Sequence, residues 1–103
     1  MAYQVIWSPL ALDDLDNIAR YIFHDSAIQA DKVVRKFLEL TARYGTQPRA
    51  ATIVPEVKDD RIRHKHIFDW RVIYEIHDDK QVIEILAIVH NRRSFGAYSN
   101  RIR

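Results

Sequence analysis

The chain has 103 residues, enough for one hydrophobic core and too few for two. Hydrophobic residues make up 48% and charged residues 29%, with two Gly and three Pro, which excludes disordered, collagen-like and low-complexity chains. The absence of Cys removes disulfides, thiolate metal sites and a Cys nucleophile, and a net charge of +2 does not make a generally basic protein.

YQVIW (3 to 7) alternates and is rich in β-formers, so a short strand is expected first. Ser8 followed by Pro9 starts a helix: the hydroxyl accepts from a free amide, and Pro suits the first turn. Asp13, Asp14 and Asp16 are expected to favour its positive end. Leu12, Leu15, Ile18, Ala19 and Ile22 recur at helical spacing and carry the helix from about Pro9 to His24. Ser26 opens a second helix with the capping-box pattern SAIQ, and Ala30, Val33, Val34, Phe37, Leu38 and Thr41 mark its buried stripe. Gly45 is the expected stop.

TQPRAATIVPEVKDD reads as a linker, after which the period becomes strand-like. RIRHKHIF (61 to 68), WRVIYEI (70 to 76) and QVIEILAIV (81 to 89) predict three strands in an antiparallel meander, with HDDK (77 to 80) as a hairpin turn. The last run is apolar on both faces, as an interior strand is, and the N-terminal strand is available to complete the sheet. The expected fold is α+β, β-α-α-β-β-β, an antiparallel sheet with a helical hairpin packed on one face, in a single domain over residues 1 to 103. No basic leader precedes an apolar run at the start and no apolar run is long enough to cross a bilayer, so a cytoplasmic protein with no membrane partner is expected.

Charge is unevenly distributed. Residues 51 to 103 hold four of the five His and ten of the sixteen Lys/Arg. RIRHKH (61 to 66), Arg71 and HNRR (90 to 93) contain no acid, while acids gather at 59–60 and 78–79. A local basic surface is implied.

The strand leading into SPLALDDLDNIARYI, the second helix, VPEV, the WRVIY block at 70 to 74 and LAIVHNRR at 86 to 93 together resemble the toxins of bacterial toxin–antitoxin modules in the RelE/ParE superfamily. The resemblance runs over residues 3 to 98. It implies the toxin of a type II (plasmid-stabilisation) system, silenced by a cognate antitoxin. Two activities are implied by its two branches. One is a ribosome-dependent mRNA interferase, an endoribonuclease acting on ribosome-bound mRNA; the other is a ParE-type, non-enzymatic inhibitor of DNA gyrase. An inactive antitoxin-binding scaffold is the third alternative.

Arg71 lies inside an apolar strand, where a guanidinium requires a partner or a solvated face; pairing with Glu75 or Glu84 is one explanation. The resemblance to the ribonuclease branch implies the other, a grip on the scissile phosphate. Cleaving RNA without metal requires activating the 2′-OH, protonating the 5′-oxygen and stabilising phosphate charge. The resemblance places Arg71 and Arg92 on the phosphate and His90 or Tyr98 on proton transfer; Arg93 is a further RNA contact or a solvated strand end. RIRHKH puts Arg61, Arg63 and Lys65 on one strand face and His64 and His66 on the other. Arg61, Arg63, Lys65 and His66 are expected either to track RNA or to form a charged edge that resists aggregation. HKH lacks a third ligand and the only glycines are Gly45 and Gly96, so neither a metal nor a nucleotide cofactor is expected.

Overall fold

The computed structural model describes residues 2–102. Strand β1 (Gln4–Trp7) runs into helix α1 (Pro9–Phe23), which is followed by α2 (Ala27–Ala42), a 3-10 turn (Arg43–Gly45) and strands β2 (Thr52–Ile53), β3 (Ile62–Ile67), β4 (Trp70–His77) and β5 (Val82–His90). Two further 3-10 turns, Phe95–Ala97 and Ser99–Arg101, form the C-terminal tail. The sheet order is β1-β5-β4-β3-β2. The β3–β4–β5 meander is antiparallel as expected, whereas β1 joins β5 in parallel and makes the sheet mixed. The short β2 lies within the stretch read as a linker and pairs with β3.

Both helix starts follow from their caps. Ser8 Oγ accepts from the Ala11 amide at 3.1 Å and Ser26 Oγ from the Gln29 amide at 3.1 Å. Only half of the capping box forms, because the Ser26 amide donates to the Ile22 carbonyl instead. The first turn of α1 holds no acid, so the dipole role expected of its aspartates is not the one they play. Asp14 instead accepts from the Ile88 amide at 2.9 Å and pairs with Arg101 at 2.8 Å.

Gly45 also serves a different purpose from the one expected. Its φ is not positive, so no left-handed cap is made. A Cβ there would collide with the Tyr3 carbonyl oxygen, while the Tyr3 amide donates to the Gly45 carbonyl at 2.8 Å. Glycine is required by the close approach of two backbones.

The sheet is covered on both faces. Ala11, Leu15, Ile18, Val33 and Phe37 of the helices pack on Val72, Tyr74, Ile76, Ile83, Ile85 and Ile88. Val54, Ile62, Ile73, Ala87 and Val89 pack beneath Tyr98 and Ile102 of the tail. This explains why β5 is apolar on both faces from Ile85 to Val89. A register shift pairs Ile73 with Ala87 but Tyr74 with Ile85, leaving Leu86 as an extra residue. The Leu86 carbonyl accepts from Arg101 Nη1 at 3.3 Å and Ser8 Oγ at 3.4 Å, so the bulge is held by α1's cap and the tail.

Leu12 and Leu38, expected in the helical stripes, are exposed. So are Leu10, Tyr21, Phe23 and Ile28, giving the outside of the hairpin an apolar surface. No helix among the described residues is long and apolar enough to cross a membrane.

Candidate functional site

Asp59, Asp60 and Asp78, three of the acids that gather at 59–60 and 78–79, are paired at one end of the molecule. Arg49 bridges Asp60 and Asp78 at 2.8 Å each, and the Tyr3 hydroxyl donates to Asp78 at 2.7 Å. These donors hold the Asp78 carboxyl down at about 2, its bond to Arg49 first among the causes. Arg61 pairs with Asp59 at 3.1 Å. Arg63 is buried, and its guanidinium donates to the carbonyls of Asp60 (2.8 Å), Arg49 (3.1 Å) and Ala51 (2.8 Å) and to the Asp60 carboxylate (2.6 Å). Arg63 is thereby committed to holding the loop before β3, and its donors are not presented to a ligand.

The opposite end of the same strands retains its positive charge. There Glu56, His66, Arg71, His90, Asn91, Arg93, Ser94 and Phe95 line an open recess of about 230 Å³. The β3–β4 register sets Arg71 opposite His66 on the tail-covered face, and the β4–β5 register sets His90 opposite Trp70 at the strand end.

Arg71 is held on three sides. Its Nη1 lies 3.6 Å from Glu56 Oε1 and 3.4 Å from His64 Nδ1, and its guanidinium sits 5.4 Å from the centre of the Tyr98 ring. Its ion-pair partner is Glu56, from the stretch read as a linker, and not Glu75 or Glu84. Burial first, and then the charge of Arg71, lower the pKa of His64. A neutral His64 accepts through Nδ1 and aims the guanidinium.

The two recess histidines are oriented differently. His66 Nδ1 lies 3.0 Å from Asn91 Oδ1. With the amide oxygen as acceptor, Nδ1 carries the proton and Nε2 of the neutral ring has its lone pair free. The Arg92 amide donates to His90 Nδ1 at 3.1 Å, and the Trp70 ring meets the His90 ring edge to face at 5.8 Å. That hydrogen bond assigns the His90 proton to Nε2.

Of the residues singled out from sequence, the structure brings Arg71, His90, Arg93 and His66 together. Arg92 is exposed beside the recess, outside its lining. Lys65 is exposed on the helix side of β3, next to His66, and lines a separate hollow with Arg43, Tyr44 and Gln47. Tyr98 is 3% exposed, and its hydroxyl is enclosed with no hydrogen-bond partner among the described residues. The ring supports Arg71 from below; it does not offer a hydroxyl to the recess. Glu56 and Asn91 were missed because neither lies in a periodic segment.

The sequence pattern described as the ParE toxin of the type II toxin–antitoxin system parDE matches residues 5–95. The chain belongs to this family. Among curated proteins no relative matches. The fold of this ParE-family toxin is similar to several solved structures. The chromosomal ParDE system of Pseudomonas aeruginosa superposes with a TM-score of 0.70 at 18% identity, covering 86% of this chain and 96% of the other. An arginine-substituted Escherichia coli RelE toxin in the free state gives 0.70 at 18%, covering both chains fully (100%). The RelBE2 toxin–antitoxin complex of Mycobacterium tuberculosis gives 0.63 at 17%, covering 87% and 99%. This chain is therefore a ParE-family toxin of a type II toxin–antitoxin system.

Proposed function

We propose that this toxin is a ribosome-dependent mRNA interferase and that the recess around Arg71 holds the scissile phosphate. The observation that carries the reading is the lining of that recess, which places the imidazoles of His66 and His90 beside the guanidiniums of Arg71 and Arg93. His66 Nε2 accepts the proton of the 2′-OH, the 2′-oxygen attacks phosphorus, and the P–O5′ bond breaks. His90 Nε2–H gives its proton to the departing 5′-oxygen, leaving a 2′,3′-cyclic phosphate. Arg71, already aimed by His64 and Glu56, and Arg93, which makes no ion pair among the described residues, stabilise the phosphorane charge. Arg92 flanks the recess and suits a contact to a neighbouring phosphate, while Lys65 lies on the other face of β3 and Arg61 at its far end. The proposed antitoxin surface is the apolar outside of the helical hairpin, where Ala19, Phe23, Ala27, Ala30 and Val34 line a groove.

A second reading is favoured by the family match and by the enclosed Tyr98 hydroxyl: a ParE-type poison of DNA gyrase, for which the same basic end would be a contact surface. The variants His66→Ala, His90→Ala and Arg71→Ala separate the readings. Cleavage of ribosome-bound mRNA should fall about 10² to 10⁴-fold for each histidine, with fold and antitoxin binding retained. Full cleavage by both histidine variants would remove the proposed chemistry.

A further inference from the structure

We infer that Glu75, His77 and Glu84, at the other end of the β4–β5 hairpin, form a binding site for a divalent transition cation, Zn²⁺ being the ion whose ligand chemistry fits. Six residues of extended strand, about 20 Å, separate His77 from Arg71, so this site is distinct from the recess.

Three observations carry the inference. First, Glu75 and Glu84 are direct cross-strand partners, and like charges in that position repel. Second, Glu75 is only 2% exposed, so one of the two carboxylates is held within the face of the sheet and cannot swing away into solvent. Third, His77 lies two residues beyond Glu75 on the same face, its Nε2 3.1 Å from Glu84 Oε1 and 3.7 Å from Glu75 Oε1.

One ligand atom from each residue falls within 4.8 Å of the others. A tetrahedral Zn²⁺ with bonds of about 2.0–2.1 Å sets its ligand atoms roughly 3.3 Å apart, so the observed spacings need only side-chain adjustment. One imidazole and two carboxylates suit zinc, and the fourth position is left to water. The His77 and Glu84 side chains are 25% and 30% exposed, which gives the ion a route in from solvent.

The pattern is invisible along the chain, because E-x-H supplies two ligands and the third arrives only with the hairpin register. Bound metal would join the end of β4 to the start of β5 and stabilise the sheet without taking part in RNA chemistry. A protonated His77 clasping the two carboxylates is the competing arrangement.

The test uses the tag-free full chain, freed of metal by chelation, with Zn²⁺ alone as the probe in calorimetric titration and thermal unfolding. One equivalent should bind saturably and raise Tm by about 10 °C at a hundredfold excess of free Zn²⁺ over its Kd. His77→Gln and Glu84→Gln should fold and lose this response, whereas His66→Ala should keep it. The inference is overturned if the wild type neither binds nor shifts. It is equally overturned if both hairpin variants respond like wild type, or if His66→Ala abolishes the response and so moves the ion to the His64–His66 pair. None of these readouts depends on toxicity, so failure here leaves the ribonuclease reading untouched.

Discussion

Arg63→Ala should act on stability, where Arg71→Ala acts on function. The Arg63 guanidinium donates to three loop carbonyls, those of Arg49, Ala51 and Asp60, and to the Asp60 carboxylate. The carboxylate is 59% exposed, so that ion pair is screened and adds little. The three carbonyl bonds lie against a side chain that is itself only 9% exposed, and each is worth about 1–1.5 kcal/mol or somewhat more for a charged donor. Their combined loss is about 3–4 kcal/mol, in line with breaking a buried charged network. For a domain near this size the corresponding fall in Tm is on the order of 15 °C. Urea and thermal unfolding measure it directly, with Lys65→Ala as an exposed control expected within about 0.5 kcal/mol of wild type. If Arg63→Ala melted within 2–3 °C (roughly 0.5 kcal/mol) of wild type yet lost RNA binding, Arg63 would be a ligand contact and the structural assignment would be refuted.

Asp78→Asn should cost stability at neutral pH and cost progressively less as the pH falls from about 4 to below 2. The carboxyl is held below its unfolded value, so its contribution is present above about pH 4 and disappears as pH falls through its folded pKa of about 2; unfolding curves across that window show whether the two proteins converge. Gly45→Ala should destabilise by about 1–3 kcal/mol, because the obstacle is the Tyr3 backbone and not a movable side chain; an unchanged Tm would mean the β1 start can shift freely. Phe23→Ser together with Ile28→Ser should leave the fold intact, since both side chains are exposed, and weaken antitoxin affinity at least tenfold by titration. Unaltered affinity would move the antitoxin off the hairpin groove.

Much of the fold was legible because it is periodic. The helical spacing of Leu15, Ile18, Val33 and Phe37 and the β-rich runs of the meander each report a face that must be buried. The two-residue β2 has no period to read, and the parallel entry of β1 is decided by where α1 and α2 bring the chain back. The helical stripes were read slightly too wide: Leu12 and Leu38 fit the spacing but are exposed on a surface suited to a partner. At the recess, Arg71 was visible as a charge in an apolar strand. Its true partner was not, because Glu56 reaches it from an irregular loop. Tyr98 drew notice as a proton-transfer group; the tail's fold onto the sheet, fixed by the Arg101–Asp14 pair across 87 positions, turns its ring into support for Arg71. Contacts between the two ends of a chain leave no local trace in sequence.

The central claim is that the basic recess cuts RNA. Purified wild-type toxin is added, in the presence of a chelator, to programmed ribosomes carrying a defined mRNA and, separately, to DNA gyrase with relaxed plasmid. The account predicts new mRNA ends bearing cyclic phosphate and undiminished supercoiling. Intact mRNA together with blocked supercoiling would contradict it and make the recess a gyrase contact surface.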